Sequence, residues 1–145
     1  MRKFQFRLER VLAWRGTELQ LEEHRLKTLS AEMEELEAAR ARLMLERTLA
    51  EREVLARREI EGSELSAHAG YLAGLLRDER RLAGRRREQE AKIAAQHERV
   101  LEARRRCRLL ERLRGRALAA WRVEADRESE AAAAESHLAA LLRNR

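Results

Sequence analysis

The residue types that could do chemistry are few and scattered. Metal sites use histidine and cysteine in closely spaced pairs, but the four histidines and the single cysteine are far apart: His24, His68, His97, His137 and Cys107. The chain also has no Gly-rich phosphate loop and no G-x-S-x-G nucleophile turn. We therefore expect a protein that is not an enzyme, with no catalytic residue, no metal site and no cofactor.

Two arginine runs, 85–87 and 104–106, are the obvious candidates for binding nucleic acid. Basic clusters bind phosphate backbones without sequence preference. Here acidic residues such as Glu88 and Glu102 are interleaved with them, and no aromatic residue lies among the arginines to stack on bases. This mixing favours a solvated or internally paired face. We expect no nucleic-acid partner.

Residues 65–76 contain no Lys, Arg, Asp or Glu, although these types make up 40% of the chain. Within this stretch Tyr71, Leu72, Leu75 and Leu76 share one broad face over two helical turns. Two interpretations remain open. Leu72 and Leu75 could belong to a helix–helix seam that leaves the other two partly exposed, or all four could form a binding site for another protein.

The N-terminal segment combines basic residues with Phe4, Phe6, Val11 and Trp14. More apolar residues are present than one helix seam needs, so the segment would suit a membrane-surface helix or the end of a stalk held in an acidic socket. It is not a secretory signal, and no apolar run is long enough to span a membrane. Together with the lone cysteine, this predicts a soluble cytoplasmic protein.

These residues must be positioned by long helices, because the chain has no proline and apolar residues recur at spacings of three and four. We predict one coiled-coil domain, 1–145, with helix 1 at about 3–60 and helix 2 at about 65–142. Gly62 and Ser63 predict a turn at about 61–65 between them, since Gly ends helices in a left-handed conformation and Ser caps them. The fold class is all-α, an elongated antiparallel two-helix coiled-coil hairpin.

Charge supports the pairing of the two helices. Residues 17–64 carry eight basic and thirteen acidic side chains, whereas 77–116 carry fifteen basic and seven acidic ones. Opposite net charges help to select the partner and its orientation. A turn near 62–63 places Phe4 opposite Trp121, an aromatic lock at the open end. It also leaves an overhang at about 124–145 without a partner from helix 1.

The opening from Phe4 to Arg15 resembles the start of the FliJ family, the small stalk and chaperone-escort proteins of bacterial flagellar export. In that family an F-x-F/L-x-L-x-x-V/L-L opening leads into a Glu/Arg-rich helix. The segment with Leu65, Tyr71, Leu72 and Leu75 is similar to the short apolar-aromatic motif that begins the second helix of the family. A late segment, 112–121, resembles the family's Leu/Arg and aromatic region.

The resemblance implies a non-catalytic stalk and adaptor of the type III export apparatus. Its expected partners are the export ATPase hexamer, the cytoplasmic domain of the membrane export gate, and export chaperones. It would be a cytoplasmic protein, peripherally associated with the inner-membrane apparatus at the flagellar base and not inserted in the membrane. The implied export-gate patch is Tyr71, Leu72, Leu75 and Leu76. The implied ATPase-proximal residues are Phe4, Phe6, Arg7, Arg10, Trp14 and Trp121.

Three alternatives remain open from the sequence. The chain could be the equivalent stalk of a virulence-type secretion system. It could also be a generic basic coiled-coil scaffold, which would pair in parallel without a hairpin, or a basic coiled coil that binds nucleic acid, whose affinity would fall steeply with salt.

Overall fold

The structure is a computed structural model, and it describes residues 3–143. Two helices account for most of them: α1, Glu9–Ala56, and α2, Gly62–Arg143. The described residues contain no strand. The two helices pack against each other, which confirms the predicted all-α two-helix hairpin.

The chain divides into two compact units. The terminal unit combines residues up to Leu21 with residues from Leu101 onward, and the loop unit is Glu22–Val100. In the terminal unit Glu9 pairs with Arg114 at 3.0 Å. Residue numbers in each unit rise along α1 as they fall along α2, so the pairing within each unit is antiparallel. The assignment of 1–145 to a single domain stays a prediction.

The predicted seam, made of the apolar positions that recur at spacings of three and four, matches the pattern of burial except at Leu8 and Leu65, which are 36% and 50% exposed. Within the described residues, the apolar seam positions from Leu12 to Val54 of α1 are at least half-buried. On the described part of α2, five of the six buried apolar side chains fall on the predicted seam, the exception being Ala125, and Val100 keeps only 2% of its surface exposed. The seam members buried on α2 are Leu75, Leu82, Val100, Ala103 and Cys107. The spacing of three and four therefore locates the core.

The first helix begins later than the predicted start near residue 3. The amide of Glu9 donates to the carbonyl of Phe6 at 3.1 Å, which closes a turn, and the helical pattern begins with the bond from Leu12 to Leu8 at 2.9 Å. Glu9 is then the acidic residue of the first turn, where it is favoured by the helix dipole. Lys3 and Arg7 carry the opposite charge, so a start among them would be less stable.

The connection between the helices is residues 57–61, not the predicted 61–65. Gly62 and Ser63 belong to the first turn of α2, and the carbonyl of Glu61 accepts the first bond of that helix from Leu65 at 3.0 Å. None of the described glycines has a positive φ. The expectation of a left-handed glycine at the turn is therefore wrong, because Gly62 starts a helix instead of ending one.

The C-terminal part of α2 stays helical well beyond its last buried side chain, Ala125. All side chains at 126–143 are exposed, among them Leu138, Leu141 and Leu142. Since no tertiary packing covers this segment, its helix depends on local propensity, which the alanine run at 131–134 supplies.

The helical position of Gly62 predicts the sign of a substitution. Gly62→Ala should raise the free energy of unfolding by about 0.5 kcal/mol, because alanine loses less backbone freedom on folding. A Cβ at Gly62 would meet nothing within 4 Å. Urea unfolding followed by circular dichroism measures the change.

Gly84→Ala is the matched control, since Gly84 lies inside α2 with the same open space. It should stabilise the protein by about 1 kcal/mol. If Gly62→Ala destabilised the chain while Gly84→Ala stabilised it, the connection would require glycine and the placement of Gly62 in the helix would be wrong.

Candidate functional site

The terminal unit brings two predicted site residues together. The rings of Phe4 and Trp121 lie with centroids 6.0 Å apart and planes inclined by 59°. This tilted arrangement is typical of favourable aromatic pairs. The pairing was predicted from the numbering of the hairpin, and it attaches the non-helical residues before Glu9 to α2.

The other predicted residues of this end do not join that pair. Phe6 is half-buried, whereas Arg7 and Arg10 are exposed. Trp14 is 59% exposed, and the guanidinium of Arg15 lies over its ring at 4.6 Å from the centroid. An indole held this way presents an apolar surface next to a guanidinium, whose charge is balanced by an ion pair with a carboxylate of α1 at 2.8 Å. Such an anchor suits a protein interface.

In the loop unit, the four residues of the predicted export-gate patch divide into two pairs. Tyr71 is 51% exposed and Leu76 also lies at the surface, while Leu72 is half-buried and Leu75 is buried in the seam. The seam interpretation of Leu72 and Leu75 therefore describes their positions. Tyr71 and Leu76 remain as surface that a partner could bind.

Tyr71 borders a groove of about 400 Å³ beside the connection. Its other lining residues include Val54, Ile60, Ala67 and His68. Arg57 also lines the groove, and its guanidinium donates to Glu64 at 3.1 Å and to Glu53 at 3.2 Å. One arginine thus ties the end of α1 to the first turn of α2.

Two buried glutamines cross from α2 to α1 inside the loop unit. Gln89 Nε2 donates to the carbonyl of Leu29 and to Glu32 Oε2, each at 2.9 Å. Gln96 Nε2 donates to the carbonyl of Glu22 at 3.0 Å and to the carboxylate of the same residue. A helix carbonyl has a second lone pair for such a bond, so the amides are satisfied without opening α1.

Ion pairs flank these glutamines. Arg47 lies 3.4 Å from Glu79 across the two helices, and it also pairs with Glu51 at 3.0 Å. Arg86 Nε lies 2.8 Å from Glu37 Oε1, a charge contact without the alignment of a hydrogen bond. The central residue of the first arginine run is therefore paired inside the chain.

The second arginine run is also engaged. Arg106 pairs with Glu102 at 3.1 Å and approaches Glu18 of α1 at 3.9 Å. Arg105 lies 3.9 Å from Glu102. These contacts accord with the predicted internal pairing of the basic runs.

Sequence reasoning missed the specific roles of Arg57, Gln89 and Gln96. The glutamines are seven residues apart and keep the three-and-four spacing of the apolar residues around them, and this repeat was the available signal. Arg57 also falls on the predicted seam, but that position did not indicate its contact with Glu64, which becomes a neighbour only when the connection is placed at 57–61.

Neither helix of the described region is long and apolar enough to cross a membrane. Within residues 3–143, no group of three or more His, Cys, Asp and Glu side chains is arranged to hold a metal ion. Comparisons of the chain with protein-family models, with curated proteins and with solved structures give no match.

Cys107 lies in the seam of the terminal unit. Burial raises the pKa of its thiol, and the charges of Glu111 and Glu18 raise it further, against a smaller opposing effect of Arg15. A raised pKa keeps the neutral thiol present to higher pH, and the thiolate is the reactive form.

We therefore expect Cys107 of the folded protein to react with iodoacetamide at pH 8 more than about tenfold slower than the same thiol in urea. In the folded protein, the alkylation rate should also begin to rise at a higher pH than it does for a free thiol, because the pKa of Cys107 is raised. Alkylation followed by mass spectrometry measures both. Equal rates in the folded and unfolded chain would show that the seam is open at Cys107.

Proposed function

We propose that this chain is a non-catalytic stalk and adaptor of a bacterial type III protein export apparatus, of the flagellar kind. It would bind the export ATPase ring with its terminal unit and the cytoplasmic domain of the export gate with its loop unit. It would also engage export chaperones, and it would lie at the cytoplasmic face of the apparatus. The proposal rests on the resemblance of residues 4–15 to the opening of the FliJ family.

One observation carries the ATPase contact. Packing of Phe4 on Trp121 closes the terminal unit, yet Trp14 stays 59% exposed beneath the charge of Arg15. An ordered, exposed tryptophan next to basic residues supplies the kind of anchor that dominates protein interfaces. Arg7 and Arg10, also exposed, would meet acidic groups around it.

The gate contact is proposed for the exposed half of the predicted patch. Tyr71 and Leu76 provide an aromatic and an aliphatic surface, and the groove beside Tyr71 offers a concave place for a partner side chain. Leu72 and Leu75 would support this surface from within the seam.

The test of the ATPase contact is the hydrolysis rate and hexamer content of the cognate export ATPase with and without the full chain. The wild-type chain should stimulate hydrolysis and promote the hexamer. Trp14→Ala should weaken binding by about 2 kcal/mol, about thirtyfold in affinity. The fold should be unaffected, because Trp14 packs in no core.

Leu55→Ala is the matched control, since Leu55 is an exposed apolar residue of α1 in the loop unit. It should stimulate the ATPase as the wild type does. Absence of both stimulation and co-migration with the wild-type chain would reject the stalk function, and equal activity of the Trp14 variant would reject the placement of the contact.

The gate contact predicts a second pair of variants. Tyr71→Ala should reduce binding of the gate's cytoplasmic domain by about tenfold or more without a change in stability. Leu75→Ala should instead lower the free energy of unfolding by about 2–3 kcal/mol, because it opens a cavity in the seam. Calorimetric titration and urea unfolding separate the two effects.

Leu49→Ala serves as the control, as Leu49 is an exposed apolar residue of the loop unit outside the proposed contact. Unchanged gate affinity of the Tyr71 variant would remove the proposed gate site.

A further inference from the structure

The outer face of α2 in the terminal unit carries a second stripe of residues at spacings of three and four. All of its members are exposed, and the side chain of Leu109 keeps 60% of its surface in water. The members from Arg105 to Val123 lie about 200° around the helix from the seam, because each follows a seam position by two residues, and the later members continue the same spacing along α2. Its members are Arg105, Leu109, Arg112, Arg116, Ala119, Val123, Asp126, Glu130, Ala133 and His137.

The charges of this outer stripe are segregated along the helix. Its first half holds Arg105, Arg112 and Arg116, and its second half holds Asp126 and Glu130. Alanine and valine separate the two halves. A helix face with a basic half and an acidic half is complementary in charge to an identical face that runs in the opposite direction.

No partner for the four central charges exists inside the described chain. Among residues 3–143, Arg112, Arg116, Asp126 and Glu130 make no ion pair. Arg112 and Glu130 cannot reach each other along one continuous helix, since 18 residues span about 27 Å. Four exposed charges and two large apolar side chains on one stripe are thus left without a partner.

We infer that this outer stripe binds a second copy of the chain, with the two α2 helices antiparallel and the two-fold axis near residue 121. In this alignment Arg112 faces Glu130 of the second copy, and Arg116 faces its Asp126. Val123 meets Ala119 of the second copy at the centre. The two-fold axis repeats each contact, so one dimer contains four ion pairs.

The alignment pairs every member of the stripe with another member. Leu109 faces Ala133 of the second copy, and Arg105 faces its His137. No acidic residue of the stripe therefore faces another acidic residue, and no arginine faces another arginine. A parallel pairing in the same register would place Arg112 against Arg112 and Glu130 against Glu130, which repel. Charge therefore selects the antiparallel second copy as occupant. The inference does not depend on the proposed function.

Sedimentation equilibrium of the full chain over a concentration series tests the inference. The wild-type protein should show a monomer–dimer equilibrium that weakens as salt is added. Arg112→Glu and Glu130→Arg should each weaken the dimer by about tenfold or more, because each change turns two ion pairs into repulsive contacts.

Mixing the two variants gives the sharper test. An Arg112→Glu chain and a Glu130→Arg chain restore all the opposite-charge contacts when they pair, so the mixture should form heterodimers of wild-type strength. The double variant should likewise recover its homodimer. Neither rescue can arise within one chain, because the two positions are too far apart along the helix.

Arg99→Glu and Glu128→Arg are matched controls, since both are exposed positions of α2 off the outer stripe. They should leave the dimer unchanged. A wild-type chain that stays monomeric throughout the series would overturn the inference. A dimer that is insensitive to Arg112→Glu would place the interface on another face and overturn it equally.

Discussion

Neither helix of this chain can keep its apolar residues out of water without the other. Charged residues make up 40% of the sequence, and the apolar residues form narrow stripes instead of a broad core. Most stability of such helices comes from tertiary packing and not from propensity. The seam is therefore the constraint on which everything else depends, and residues outside it are free to carry charge.

Polar residues inside the seam show how this constraint is met. Gln89 and Gln96 are buried, yet each amide donates to a backbone carbonyl and a carboxylate of α1. A buried amide without hydrogen-bond partners would cost free energy of folding. The two glutamines therefore disfavour any alignment of the helices in which they lose their partners on α1. The apolar seam gives the affinity of the helices for each other, and the glutamines help to define their register along the axis.

Much of the fold could be predicted from the sequence, because the spacing of three and four is a property of one helix face. The pairing of Phe4 with Trp121 followed from the same numbering. The connection was misplaced because the contact of Arg57 with Glu64 spans it, and the local preferences of Gly62 and Ser63 do not report such a contact. The sequence could not decide whether Leu75 belongs to the seam or to a surface patch, since both interpretations require the same apolar residue.

The glutamines alone would not distinguish the observed alignment from one displaced by a heptad, because they are seven residues apart. Moving α2 by seven residues would place Gln96 where Gln89 now bonds, or Gln89 where Gln96 does. The ion pairs remove this degeneracy, since Glu79 and Arg86 are also seven residues apart but opposite in sign. A shift one way brings Arg86 against Arg47, and a shift the other way brings Glu79 against Glu37. Sliding by one repeat is thus opposed by electrostatic repulsion in both directions.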